Sequence, residues 1–534
     1  MKRKLLTALL CGALMLTSLA GCGQGAGNQS GTSAGSESAV KDELVFVNYR
    51  DIRDLNPHLY AGEMYAQSIL YDTLVSNTSE GYVGCLAEDW TISEDGRTYT
   101  FNIRDGVTFS DGTPCDANAI LANFNAILEN RERHTWLEMM NLLVGVSAPD
   151  DDTFVIEMSE PYYPMLTELA CIRPFAMISP NCMIDGSTKD GVNGYIGTGP
   201  YVLTDFVTDE YAVFERNENY WGEKPAIRKI TVKVIPDNQT RIMALENGEI
   251  DLIFGKNMLD ADAISQYVDS DKFTVGLSDP TSTRHIVLNT THDILGDKSV
   301  RQALQHATNR QAISEGIFYG LEPAADTLYS TTVPYCDVDL EPYAYDADEA
   351  ARLLDEAGWT MGSDGIRAKN GQKLALDLLY NSDSVTEKTI SEYLQSEYLK
   401  LGISLNIHGE EEQSYRDNMK AGNFDMVFNI CWGMPYDPQS SLAAMRAPVY
   451  GDYAAQQGLE DKAEIDQAIT DILTSTDETK RQELYTFVLT RLHEDAVYIP
   501  LTFETNKALY TSDLKGVHFG TDQYDVDFAS MYFA

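Results

Sequence analysis

From residue 44 onward the chain interleaves two kinds of apolar spacing. Residues 44–47 form a short apolar run, 99–103 alternate apolar with polar, and 230–235 alternate Ile or Val with Thr or Lys. Each is the mark of a strand, and Arg104-Asp105-Gly106 is a turn after the second. Residues 403–407, 426–430 and 497–501 are further short strands. Residues 118–128, 300–313, 346–357 and 389–400 carry helical spacing, and Gly358 and Gly402 stand where the last two should stop. Helices and strands mix throughout without a fixed repeat, so the expected class is α/β (mixed α+β).

Length and charge narrow this picture. A chain of 534 residues is too long for one ordinary core and calls for two or more lobes. Its formal net charge of −43 repels phosphate backbones and anionic membrane surfaces alike. Nucleic acid is thereby excluded as a partner, and attachment to a membrane needs a separate device.

That device is expected at the start of the chain. Lys2-Arg3-Lys4 is a positive segment, and residues 5–19 are apolar but too few to span a bilayer permanently. Leu19-Ala20-Gly21-Cys22 resembles a bacterial lipobox, which implies a signal peptide over 1–21 and lipid on Cys22. Residues 22–41 are the lipidated Cys and a Gly/Ser-rich tether, reaching on the order of 25 Å as a coil. Six cysteines remain, Cys85, Cys115, Cys171, Cys182, Cys336 and Cys431, with no CxxC or zinc-like spacing. They are expected as separate buried thiols, although the sequence does not settle whether any of them pair.

Several segments resemble the bacterial extracellular solute-binding proteins that serve peptide and nickel ABC importers. They include Asp54-Leu55-Asn56-Pro57-His58, Ile69-Leu70-Tyr71-Asp72-Thr73-Leu74-Val75 and Val107-Thr108-Phe109-Ser110-Asp111-Gly112-Thr113-Pro114. Gly197-Thr198-Gly199-Pro200-Tyr201, Arg216-Asn217-Glu218-Asn219-Tyr220-Trp221 and Val300-Arg301-Gln302-Ala303-Leu304 follow in order. Read on its own, Gly197-Thr198-Gly199-Pro200 is a tight loop of the scaffold, since no Lys-Ser/Thr follows to cradle a phosphate. The resemblance implies a two-lobe periplasmic-binding-protein-like fold. One lobe would hold 42–282 plus 506–534, the other 283–505, with ligand enclosed between them.

The nickel-binding branch of that family is the closer likeness. Asn130-Arg131-Glu132-Arg133-His134-Thr135-Trp136-Leu137-Glu138, Tyr162-Tyr163-Pro164, Arg173-Pro174-Phe175 and Cys431-Trp432-Gly433-Met434-Pro435-Tyr436-Asp437-Pro438 carry it. It implies that Arg133 and Arg173 grip the carboxylates of a small chelator, a role suited to the guanidinium fork. It further implies that Trp136, Trp432 and Tyr436 wall in the chelate, with Tyr60, Met64 and Tyr524 lining the same cavity. One position departs from the branch: where it has a metal-ligating His, this chain has Tyr450. A neutral phenol is a poor nickel ligand. Three outcomes stay open: a metal wrapped by its chelator, for example free histidine; a His reaching in from elsewhere; or another ligand altogether. His134 is expected to point elsewhere than Trp136 if their segment is helical.

The expected role is therefore an extracytoplasmic, lipid-anchored and monomeric binding protein that requires no cofactor. It would carry chelated nickel to the permease and ATPase subunits of an ABC importer. An oligopeptide binder is the alternative in the same class. A ligand sensor for a membrane receptor would have the same fold. No Gly-x-Ser-x-Gly elbow is present, and His493-Glu494-Asp495-Ala496-Val497 lacks the second His of a zinc protease, so nothing supports a hydrolase.

Overall fold

Strand β1 (Glu43–Asn48) shows how the chain is layered. Leu44 and Phe46 enter one hydrophobic cluster, with Tyr65, Ile69 and Phe528, while Val47 enters another, with Leu245, Ile253 and Ile264. A strand buried on both faces belongs inside a sheet covered on both sides. The computed structural model describes residues 41–60, 62–78, 81–255, 258–431, 438–448, 450–520, 524 and 526–534. The signal segment, Cys22 and all of the tether but Lys41 lie outside the described residues.

Among the described residues, the main sheet has ten strands. After β1 come β2 (Tyr201–Val207), β3 (Tyr211–Arg216), β4 (Lys229–Val234) and β5 (Leu252–Phe254). Then follow β6 (Phe273–Leu288), β7 (Ala375–Asn381), β8 (Ser404–Glu410), β9 (Met426–Cys431) and β10 (Tyr498–Thr511). Their spatial order is β2-β3-β4-β1-β5-β10-β6-β9-β7-β8. β1 runs parallel to β4 and β5, and β7 runs parallel to β8 and β9. Two mixed half-sheets, each with a parallel centre, are thus joined by the long antiparallel pair β6 with β10. These are the longest strands, of 16 and 14 residues, and each runs from one half into the other.

Hydrophobic burial follows the same division. Three clusters draw on 44–264 and 508–533, joined by Leu321, and two draw on 286–501. Between them the paired strands turn polar and their register shifts at Leu277/Pro280 and Pro280/Ser282. Pro280 has no N–H for the ladder, which accounts for a slip there. Beside it, Glu504 accepts from Ser282 and Arg284, and Lys507 pairs with Glu322 at 3.2 Å. The buried carboxylates offset the buried cations, so the polar stretch holds together without an apolar core.

Most sequence-based elements appear where expected, with instructive differences. The helix expected over 300–313 is two, Lys298–Ala307 and Arg310–Ile317, because Asn309 caps the second through the Ala312 amide. The strand expected over 497–501 continues to Thr511 through buried polar residues. The six cysteines outside the signal and lipid positions are buried, free thiols. Among the described residues, no helix is long and apolar enough to cross a membrane.

Candidate functional site: a guanidinium-lined cavity

A cavity of about 750 Å³ opens in the half built on β1, lined among others by Met64, Arg173 and Tyr524. Three of the residues named from sequence therefore meet there. Arg50, Glu63 and Arg241 line it too, and sequence reasoning missed them. They are lone charges far apart in the chain, with no spacing to mark them. Among the described residues, three guanidiniums against one carboxylate give these walls a net positive charge in a protein of net charge −43. Such a pocket favours an anion.

One edge of Arg173 is held by the protein itself. Its Nε donates to Gln67 Oε1 at 2.6 Å and one Nη to the Gly62 carbonyl at 2.6 Å. Both acceptors belong to the loop and helix (Met64–Leu70) that form the cavity wall. The residue has extended backbone angles within the short turn Ile172–Phe175, and its peptide bond to Pro174 is cis. Arg241 is spent largely on structure, donating to the carbonyls of Ile235, Pro236 and Met258. Arg50 pairs with Glu63 at 2.5 Å. All three guanidiniums thus reach the cavity from fixed positions.

A second cluster centres on Tyr60. Its hydroxyl accepts from the Trp136 indole N–H at 2.7 Å and shares a 2.7 Å hydrogen bond with His134 Nδ1. The rings of His134 and Trp136 lie 5.2 and 6.0 Å from that of Tyr60. The expectation that His134 points away from Trp136 is therefore corrected. The segment is a 3-10 turn (Arg131–His134), not a continuous helix, and both side chains converge on one phenol. Burial first, then the Arg133 charge, pushes His134 down to about 4, so the ring is neutral. Burial raises the Tyr60 phenol, against the hydrogen bond from Trp136 and the charges of Arg173 and Arg133. Arg133 itself is exposed and donates to the Leu59 carbonyl at 3.1 Å.

The remaining candidates divide. Tyr450 heads the helix Gly451–Gln456 in the other half and is not among the described residues lining the cavity. Burial raises its phenol against the pull of Arg416, so it stays neutral. Trp432 and Tyr436 lie outside the described residues. The strand before them ends at Cys431, opposite Thr283, and the helix after them starts at Pro438. Among the described residues, no group of three or more His, Cys, Asp or Glu side chains is arranged to hold a metal ion.

Glu168 ties the Arg133 segment to the Arg173 segment. One oxygen accepts from the Met139 amide at 3.1 Å and the other from the Tyr162 hydroxyl. Burial dominates and pushes this carboxyl up to about 8 despite those bonds. A folded-state value above the ordinary carboxyl value gives stability that is full below about 4.5 and is lost as pH rises through about 8. Melting temperature should therefore fall from pH 6 to 9, and Glu168→Gln should flatten that fall. An unchanged slope in the variant would refute the assignment.

The scaffold segments singled out in the sequence meet in one knot. Asp72 accepts from Thr198 at 2.8 Å and from the Trp221 indole at 2.9 Å. The Gly197 carbonyl takes the Ser110 amide at 2.9 Å, and the Asn217 side chain donates to the Gly199 carbonyl at 3.0 Å.

Two half-sheets joined by a pair of crossing strands, with a cavity lined by cations on one half, define a two-lobed solute-binding protein. The sequence pattern of the bacterial extracellular solute-binding proteins, family 5, matches residues 81–452, and the chain belongs to that family. It is 41% identical over 496 residues to the nickel-binding periplasmic protein of Escherichia coli K12, covering 92% of this chain and 94% of that one. Its fold matches the crystal structure of NikA from Brucella suis in complex with Fe(III)-EDTA. There the TM-score is 0.89 and the identity 43%, over 92% of this chain and 100% of the other. The dipeptide-binding protein of E. coli K12 is 27% identical over 89% of this chain and 91% of that protein.

Proposed function

We propose that this chain is an extracytoplasmic binding protein, anchored by lipid on Cys22, that captures nickel as a compact anionic chelate and delivers it to an ABC permease. It is not an enzyme in this reading. The observation that carries it is Arg173, fixed at the wall of a cavity where, among the described residues, guanidiniums outnumber carboxylates three to one. Nickel comes from the E. coli relative, and a chelate from the Brucella suis structure, whose ligand is a polycarboxylate around a metal. Arg173 and Arg133 bind the chelator's carboxylates, Trp136 covers it, and Met64, Tyr60 and Tyr524 complete the wall. Trp432, Tyr436 and Tyr450 close over it from the second lobe. The lobe boundaries at 282/283 and 505/506 belong to the same proposal, with the bend where β6 and β10 lose register.

Isothermal titration of the chain starting after Cys22 tests this. Nickel premixed with excess histidine should bind saturably at micromolar affinity or better, and nickel alone or histidine alone should not. Binding of short peptides in place of the mixture would overturn the chelate in favour of the peptide relatives' class.

A further inference from the structure

Tyr162 and Tyr163 are neighbours that serve opposite halves of the molecule. Tyr162 is buried in the cluster of Phe101, Phe124 and Phe175. Tyr163 faces the other way, into residues that pack with Tyr485 and Val488 in the second half. Its amide donates to the Leu473 carbonyl at 3.2 Å, in the last turn of the helix Lys462–Thr474, where carbonyls lack partners within the helix. Its hydroxyl donates to Glu478 Oε1 at 2.6 Å. Tyr335 donates to the other oxygen at 2.5 Å, with the two phenol oxygens 2.9 Å apart. The Arg481 guanidinium lies 3.4 Å from the centre of the Tyr163 ring, 5.0 Å from that of Tyr335 and 5.7 Å from that of Tyr485. Arg481 is fully buried, so its cation faces π-systems with little water between, where such contacts are strongest.

The receptor stands without Tyr163. Tyr335 and Tyr485 are stacked at 4.8 Å and 4°, and Arg481 also donates to Gln439 at 3.1 Å and to the Ile472 carbonyl. Among the described residues of this cluster, Tyr163 alone comes from the first half. The segment bearing it runs through the helix Met165–Leu169 to Arg173, and Glu168 on that helix fastens it to the Trp136 segment. Contact at Tyr163 is therefore mechanically linked to the cavity wall.

We propose that Tyr163 is the tongue of an interlobe latch, received by Tyr335, Glu478 and Arg481, that tips the ligand-free chain toward the closed form. This rests on the reading of the protein as one that closes over its ligand. A ligand need supply only the differential affinity that the pre-existing equilibrium does not. A latch that populates the closed form beforehand thus tightens binding of any ligand that requires closure, without touching it. It also slows release, which must first break the latch.

Small-angle X-ray scattering of the ligand-free chain starting after Cys22 tests it, with Tyr163→Ala and Glu478→Gln as variants. Tyr163 is half-buried and Glu478 exposed, so both variants should fold. The parent should scatter as a closed envelope, Tyr163→Ala with a larger radius of gyration, and Glu478→Gln in between. Release of the nickel–histidine complex should be roughly tenfold faster from Tyr163→Ala, with capture little changed. Two results overturn the latch: a Tyr163→Ala curve matching the parent's, whatever its melting temperature, or a ligand-free parent that scatters as an open envelope. Should nickel–histidine fail to bind the parent, the chelate reading falls while the scattering still decides the latch.

Discussion

Replacing Arg173 by Ala should weaken chelate binding by roughly a hundredfold or more, whereas Arg352→Ala should leave it unchanged. Arg352 lies on the helix Ala347–Glu356 and pairs with Glu349 and Glu356 on its own surface. Arg173 lines the cavity with Nε and one Nη already fixed, so little rotamer freedom is lost when a carboxylate arrives. Arg133 is exposed, so water screens its charge and Arg133→Ala should cost several-fold less than Arg173→Ala. Because Arg173 also supports Gln67 and Gly62, truncation could loosen the wall itself. Arg173→Lys separates the two effects: it keeps the charge but loses the fork, and should bind with intermediate affinity. Titration of the three variants with nickel–histidine checks the order. Equal losses at Arg173 and Arg352 would sink the assignment of this cavity.

The parts of the structure that were legible in the sequence are those where a local pattern and the tertiary environment agree. β1, β4 and the helix Ala117–Glu129 have one apolar period each and fall within a residue of their expected ends. β6 went unseen because its middle, Ser278-Asp279-Pro280-Thr281-Ser282, reads as a turn. It is a strand because β10 pairs with it along its length and buried ion pairs take the place of apolar contacts. Family likeness singled out Arg173, Met64 and Tyr524, which do share a cavity, but gave no sign of Arg50, Glu63 or Arg241. His134 was misplaced for a geometric reason: helical spacing sends i and i+2 to different faces, and a 3-10 turn ending at His134 does not. Tyr163 stood inside a recognised segment, yet nothing local to it announces partners at 335, 473, 478 and 481.

Gly197-Thr198-Gly199-Pro200 was legible as a tight loop, and the structure gives its glycines a use that permits a sharp test. A Cβ on Gly197 would lie 2.0 Å from the Leu70 carbonyl oxygen and 2.4 Å from Tyr71 Cδ1. A Cβ on Gly199 would lie 2.6 Å from the Leu70 carbonyl carbon. The obstacle in both cases includes backbone at the end of the helix Met64–Leu70, whose first residue lines the cavity, so no side-chain rotation relieves it. Gly197→Ala must therefore push that helix away or break the Asp72 knot. It should cost about 4 kcal/mol or more, in the range reserved for backbone clash and core disruption. Gly316 is the control: it lies in the helix Arg310–Ile317 with nothing within 4 Å of an added Cβ. Gly316→Ala should stabilise by about 0.5–1 kcal/mol, through the helix preference of Ala over Gly. Thermal unfolding of the two variants beside the parent gives opposite signs if close packing, rather than chain flexibility, is what these glycines supply. A Gly197→Ala protein that melts with the parent would mean that the loop yields, and that the knot joining the scaffold segments is not what holds the cavity wall in place.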